Sequence, residues 1–175
     1  MGIRHATVTA PQIAEEIGEL TIVADGDAVT GIYYPGHWTK PDRSAFGDEV
    51  DAASDPAIAE AVLQLRDYLN GERTSLDFAT HAEGSDFEQS VWKVLREIPY
   101  GETVTYGEIA EQLGDRSLAR IVGQAVGHNP LSIVVACHRV VGATGSLTGY
   151  AGGLRRKEFL LGLEGALPDA PPPLF

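Results

Sequence analysis

Two four-residue segments, Ser85-Asp86-Phe87-Glu88 and Thr105-Tyr106-Gly107-Glu108, constrain the fold of this chain more than any other feature. Each has the spacing of a capping box, in which a Ser or Thr side chain accepts from the N–H three residues on and the Glu there reaches back. Each also precedes an apolar stripe at helical spacing. Phe87, Val91, Val94, Leu95 and Ile98 share one face, stopped by Pro99-Tyr100-Gly101; Ile109, Ala110 and Leu113 face inward before Gly114-Asp115 ends the second helix. A third helical segment runs from Ser117 to about Val126, with Leu118, Ile121, Val122 and Ala125 on one face and Arg120 and Gln124 on another. Two short helices joined by a tight glycine turn, the second carrying arginine, have the shape of a helix-turn-helix. Leu154 to Leu163 reads as a last helix.

The first 84 residues read differently. Leu20–Ala24 and Ala28–Tyr34 are β-rich runs around Asp25-Gly26-Asp27, a hairpin signal. Ile58, Val62, Leu65 and Leu69 then mark an amphipathic helix from Asp55 to Leu69, ending before Asn70-Gly71. Leu76-Asp77-Phe78 suggests another short strand and Thr80 to Gly84 a linker. The expected class is α+β: an N-terminal α/β unit over 1–84, a mainly helical unit over 85–165, and a tail over 166–175 whose Pro-rich end, Pro168 to Phe175, is expected to be disordered.

Charge divides the chain at the same place. Residues 1–85 hold 15 acids against 5 bases, whereas residues 86–165 hold 9 against 8. From Arg116 to Lys157 there is no Asp or Glu, only Arg116, Arg120, Arg139, Arg155, Arg156 and Lys157. The overall charge of −12 argues against a polyanionic partner, but this window predicts a local positive field able to meet one. No apolar run approaches membrane-spanning length and the N-terminus has no apolar signal core, so a cytoplasmic protein is expected.

One cysteine, Cys137, excludes an internal disulfide and fits a reducing compartment. The five histidines lack close ligand spacing, so no zinc site is expected. Most solitary cysteines are small buried hydrophobes. This one stands in Val135-Ala136-Cys137-His138-Arg139-Val140, after the apolar run Leu131–Ala136, which reads as a buried strand or extended segment ending at the thiol. Glycine-rich stretches follow at Gly142–Gly145 and Tyr150–Gly153, where backbone can approach a ligand closely. A thiol beside a histidine is a candidate nucleophile–base pair.

Tyr106, Arg120, Gly127-His128-Asn129-Pro130, Ala136-Cys137-His138-Arg139-Val140, Gly145, Tyr150-Ala151-Gly152-Gly153-Leu154 and the run Lys157 to Glu164 together resemble the O6-alkylguanine-DNA alkyltransferases, or methylated-DNA:protein-cysteine methyltransferases. The likeness runs without a gap from about Ser85 to Gly165, and more loosely over the N-terminal unit, for which it implies an RNase H-like arrangement. It also implies DNA repair by direct reversal: a single-turnover, irreversible transfer of an alkyl group from O6 of guanine, with O4 of thymine a further candidate, to Cys137. No cofactor or metal is implied. The partner would be double-stranded DNA, bound by a monomer through the minor groove, with the damaged nucleotide rotated out of the stack.

By the same resemblance, His138 acts as base through a water and is oriented by Glu164. Asn129 ties the helical pair to the active-site segment, and Tyr106 helps flip the nucleotide and protonates guanine N3. Arg120 fills the space the base leaves, with Ser117, Gln124 and Arg139 as further DNA contacts. Val126, Ser132, Val140, Tyr150, Ala151 and Gly152 would line the substrate pocket. Three departures stand out: Ala136 replaces the usual proline, Ile121 is bulkier than expected beside Arg120, and Ser132 stands where some relatives carry proline. Gly152 predicts an open pocket wall and room for groups larger than methyl. Two other readings of the residues are a lesion-binding protein without repair, against which Cys137 itself speaks, and a cysteine hydrolase, for which no oxyanion-hole motif is evident.

Overall fold

The computed structural model describes residues 1–37 and 40–167; the Pro-rich end from residue 168 lies outside them. Four strands, β1 (Arg4–Thr9), β2 (Glu19–Asp25), β3 (Ala28–Tyr33) and β4 (Asp48–Glu49), form a sheet in the order β3-β2-β1-β4. It is antiparallel except between β1 and β4. The expected hairpin is present, its turn made possible by Gly26 at φ +59°. Helix α1 (Pro56–Leu69) packs on this sheet through Ile58, Ala61, Leu65, Tyr68 and Leu69. Its start combines Pro at the first position with Asp55, which accepts from Ile58 N at 3.1 Å and forms a buried ion pair with Arg4 of β1 at 2.5 Å.

The remaining helices are α2 (Asp86–Glu97), α3 (Tyr106–Gln112), α4 (Ala119–Gly127) and α5 (Leu154–Leu163). Both capping boxes form with all four of their hydrogen bonds. Trp92 of α2 donates to Ala125 O of α4 at 2.8 Å, locking the two helices together. A second, two-stranded parallel sheet joins β5 (Val104–Thr105) to β6 (Val140–Val141). Because β5 leads directly into α3, this pairing brings the start of α3 beside the Cys137 segment. One hydrophobic cluster runs from Ala6 and Val8 in the first strand to Leu160 in α5, so both halves of the chain share a core. No helix among the described residues is long and apolar enough to cross a membrane.

Several expectations are corrected. Leu76-Asp77-Phe78 forms no strand, and the expected linker instead pairs with the sheet: Val29 N donates to Ala79 O and His81 N to Val29 O, both at 2.9 Å. Leu131–Ala136 is a turn, not a strand. Leu131 makes a single bridge to Ile32, Val135 N returns to Leu131 O at 2.9 Å, and Ile133 adopts φ +75°. For a β-branched residue that conformation costs on the order of 1–3 kcal/mol, so its surroundings impose it. Ile121 does not face the core but is 41% exposed, next to Arg120.

Candidate active site

The turn delivers Cys137 to the first position of a short 3-10 helix, Cys137–Arg139, and all three residues are buried. Adjacent residues in a strand point to opposite faces, whereas this tight helix turns Cys137, His138 and Arg139 progressively round one axis. Two anchors hold the turn. Ile32 N of β3 donates to Pro130 O at 2.8 Å. Asn129 is the other: its Oδ1 accepts from Leu131 N at 2.9 Å, while its Nδ2 donates to Val135 O at 2.9 Å, Leu131 O at 3.4 Å and Cys137 Sγ at 3.2 Å.

Cys137 lines an open, largely apolar cavity of about 720 Å³. Tyr106, Ala119, Arg120, Gln124 and Val126 form its helical side; Thr148, Tyr150 and Ala151 form the other. Tyr106 Oη and Thr148 Oγ1 lie 3.0 Å apart across it. Burial pushes the Cys137 thiol up to about 11, opposed by the Asn129 hydrogen bond and by the nearby Lys157 cation. At rest, therefore, the sulfur is protonated and needs a base or a charge to become nucleophilic. Lys157 is buried, donates to Val140 O at 2.5 Å and Thr148 O at 3.2 Å, and is brought by burial down to about 8.

Behind the thiol lies a buried polar cluster. His138 Nε2 contacts Glu164 Oε2 at 2.8 Å, and His138 Nδ1 has no partner among the described residues. Burial raises the Glu164 carboxyl, but the bonds from His138, Arg139 and Tyr68 outweigh it and hold the pKa at about 2. A charged carboxylate on Nε2 keeps the proton there and leaves Nδ1 as the basic nitrogen. Burial lowers the His138 pKa and Glu164 partly restores it, so the ring is neutral near pH 7.

A model of the 6-O-methylguanine DNA methyltransferase DNA-binding domain matches residues 86–166, the stretch that holds Cys137, His138, Glu164, Asn129 and the cavity lining. A methylated-DNA–protein-cysteine methyltransferase of Mycobacterium tuberculosis is 45% identical over 99% of this chain and 99% of its own. The chain belongs to the methylated-DNA–protein-cysteine methyltransferase family. Among solved structures of this family, Mycobacterium tuberculosis OGT in complex with DNA covers 93% of each chain at TM-score 0.80 and 43% identity. An O6-methylguanine DNA methyltransferase from Methanococcus jannaschii covers 84% of this chain and 88% of its own, at TM-score 0.62 and 28% identity.

Against this methyltransferase frame, the sequence-derived site residues divide. Cys137, His138, Glu164 and Asn129 come together, and Tyr106, Arg120, Gln124, Val126, Tyr150 and Ala151 line the cavity with Cys137. Ser117 is exposed on the short 3-10 turn before α4, outside the cavity lining. Arg139, expected as a DNA contact, is instead buried, donating to Glu164 Oε1 at 2.7 Å, Ile98 O at 2.7 Å and Tyr68 Oη at 3.1 Å. Ser132 and Val140 are buried away from the cavity lining, and Ser132 Oγ has no partner among the described residues. Gly152 does not open a pocket wall. A Cβ there would sit 2.6 Å from the Tyr34 ring, so its smallness serves packing against the N-terminal strands.

The basic window is thinner than its composition implies. Arg139 and Lys157 are interior, Arg156 is spent on Ile17 O, Gly152 O and the face of Tyr34, and Arg116 pairs with Glu111. Arg120 and Arg155 are exposed. Three contributors carry no functional signal in the sequence. Thr148 follows a glycine turn and carries no signal; Tyr34 and Tyr68 look like ordinary core aromatics, yet they touch Tyr150 at 2.6 Å and Glu164 respectively.

Proposed function

We propose that this chain repairs DNA by moving an alkyl group from O6 of guanine irreversibly onto Cys137. The observation that carries this reading is the placing of the chain's sole thiol on an open apolar cavity, with a His–Glu pair buried behind it. The cavity gives a rotated-out base an apolar seat, and the duplex interior hides the O6 substituent until the base is extruded. The thiol proton passes toward His138 Nδ1 through a water. Sulfur then bonds the alkyl carbon as the carbon–O6 bond breaks, and the departing guanine takes a proton at N3 from Tyr106. The thioether formed is stable and no group in the site regenerates the thiol, so each molecule acts once.

On this reading α3 and α4 form a helix-turn-helix whose second helix enters the minor groove, with Arg120 in the vacated space and Gln124 and Ser117 beside it. Ile121, exposed on the same helix, adds an apolar contact to the groove. Residues 1–84 form the supporting unit, whose strand order with one parallel edge pair suits an RNase H-like sheet, and 85–165 form the DNA-binding and catalytic unit. The protein works as a cytoplasmic monomer. The test is intact-mass analysis after incubation with duplex DNA containing O6-methylguanine. One methyl adduct mapped to Cys137 is the expected result; retention of the lesion without an adduct would refute the proposal.

A further inference from the structure

Tyr68 lies on α1, outside the stretch matched by the DNA-binding-domain model, yet its hydroxyl reaches the carboxylate that serves His138. Tyr68 Oη donates to Glu164 Oε2, the same oxygen that His138 Nε2 contacts at 2.8 Å and Arg139 Nη2 at 3.0 Å. The Tyr68 oxygen in turn accepts from Arg139 Nη2 at 3.1 Å. Glu164 Oε1 is occupied by Arg139 Nε at 2.7 Å. Every strong contact of Glu164 is therefore fixed, and one comes from the N-terminal half of the chain.

We propose that Tyr68 is a positioning residue for the transfer reaction: acting through Glu164, its hydroxyl sets the orientation and protonation of the His138 ring beside Cys137. This rests on the alkyltransferase reading above. The argument is one of shared acceptor capacity. A carboxylate oxygen that already receives a hydroxyl proton has less charge to offer an imidazolium, so the donor weakens the pull of Glu164 on a second His138 proton. The ionised groups bearing on His138 are Glu164, Arg139 and Lys157. Cys137 precedes it in the chain, and the Tyr150 ring stands 6.4 Å away, edge to face. Burial and the two cations disfavour the imidazolium and of these groups only Glu164 favours it, so the charge Glu164 offers sets how far burial can push the His138 pKa down. Burial and Glu164 together hold the Tyr68 hydroxyl protonated, so it acts as a donor throughout the working range.

The experiment is the pH dependence of single-turnover methyl transfer from O6-methylguanine duplex DNA, with the His138 ring titrated by NMR on the same proteins. In Tyr68→Phe the acid-limb midpoint and the His138 titration should both move up by about half a pH unit or more, a threefold or larger loss of rate on the acid side. Replacing Tyr68 by 3-fluorotyrosine strengthens the donor and keeps the contact, so both should move down. Tyr100→Phe removes a hydroxyl that meets Leu163 O rather than Glu164 and should shift neither. A rate loss uniform in pH, an unmoved His138 titration, or shifts of the same sign in both Tyr68 variants would overturn the proposal. Failure of the unaltered protein to take up methyl would instead refute the alkyltransferase reading, and the NMR titration would still judge the Tyr68–Glu164–His138 linkage.

Discussion

The side-chain amide of Asn129 donates to the sulfur of Cys137 at 3.2 Å while the same residue closes the turn that carries it. One amide thus both seats the thiol and opposes the effect of burial on its ionisation, because a donor on sulfur favours the thiolate. Asn129→Ala leaves Leu131 N without its acceptor in a buried site, while Val135 O keeps the bond from Cys137 N at 2.7 Å. It should cost about 1–3 kcal/mol in urea unfolding. It should also raise the thiol pKa, read from the pH dependence of alkylation by iodoacetamide. A variant with an unchanged thiol pKa would show that the contact is only structural.

Acid should weaken the fold through Glu164. Its carboxyl is held at about 2 in the folded protein against an ordinary 4.5. As pH falls from 4.5 toward 2, the unfolded chain takes up this proton first, so stability present above pH 4.5 is lost through that window. Glu164→Gln should abolish that part of the pH dependence. It also strands the Arg139 guanidinium in the interior, at about 3–5 kcal/mol near neutrality. Urea midpoints at pH 7, 4 and 3 for both proteins decide it; parallel slopes between pH 4 and 3 would rule out Glu164 as the source.

Ala136 stands at φ −76°, close to the proline value, and its N–H makes no hydrogen bond among the described residues. Ala136→Pro should therefore stabilise the protein by about 0.4–1 kcal/mol by narrowing the unfolded ensemble. A stiffer approach to Cys137 should also speed methyl transfer. Equilibrium unfolding and single-turnover kinetics on the one variant test both, and a proline form neither faster nor more stable would count against the account.

Gly152→Ala drives a methyl into the Tyr34 ring, 2.6 Å from its nearest carbon. The ring is pinned by the Tyr150 hydroxyl at 2.6 Å and by Arg156 stacked 5.0 Å from its centre, so it has little room to yield. The expected cost is about 1–3 kcal/mol. Since Tyr150 lines the cavity, transfer of bulky groups such as benzyl should suffer more than transfer of methyl. Equal losses for O6-benzylguanine and O6-methylguanine would show that the strain stays on the Tyr34 side.

What was legible in the sequence is what is local. The caps at Ser85 and Thr105, the stripes behind them and the turn at Gly26 each involve residues within a few positions, and each forms as expected. Strand β1 carries little signal because its inward positions are Arg4, Ala6 and Val8, which show little apolar alternation. Ile133, Val134 and Val135 favour a strand by residue type, but the Asn129 amide and the Pro130 tie to Ile32 bend them. Arg139 reads as a DNA contact in the sequence, yet its side chain is buried on Glu164, for a related reason. A charge read in sequence gives no sign of its depth, and the carboxylate that neutralises it lies 25 residues further on. The Cys137–His138 pair is legible from adjacency, whereas Glu164, 26 residues beyond His138, is reached only through the resemblance.

The pairing of Tyr34 with Tyr150 bears on how this protein can be rebuilt. The boundary near residue 84 separates two styles of sequence, yet hydroxyls from the first half end on the cavity wall and on the histidine's carboxylate in the second. The halves are therefore poor interchangeable modules. A chimera that grafted a relative's first 84 residues onto this second half would keep both contacts only if the graft presented tyrosines at those two positions. A chain trimmed to the second half would uncover the hydroxyl of Tyr150 and the side of Glu164 that Tyr68 now covers, leaving His138 and Arg139 as the carboxylate's remaining partners.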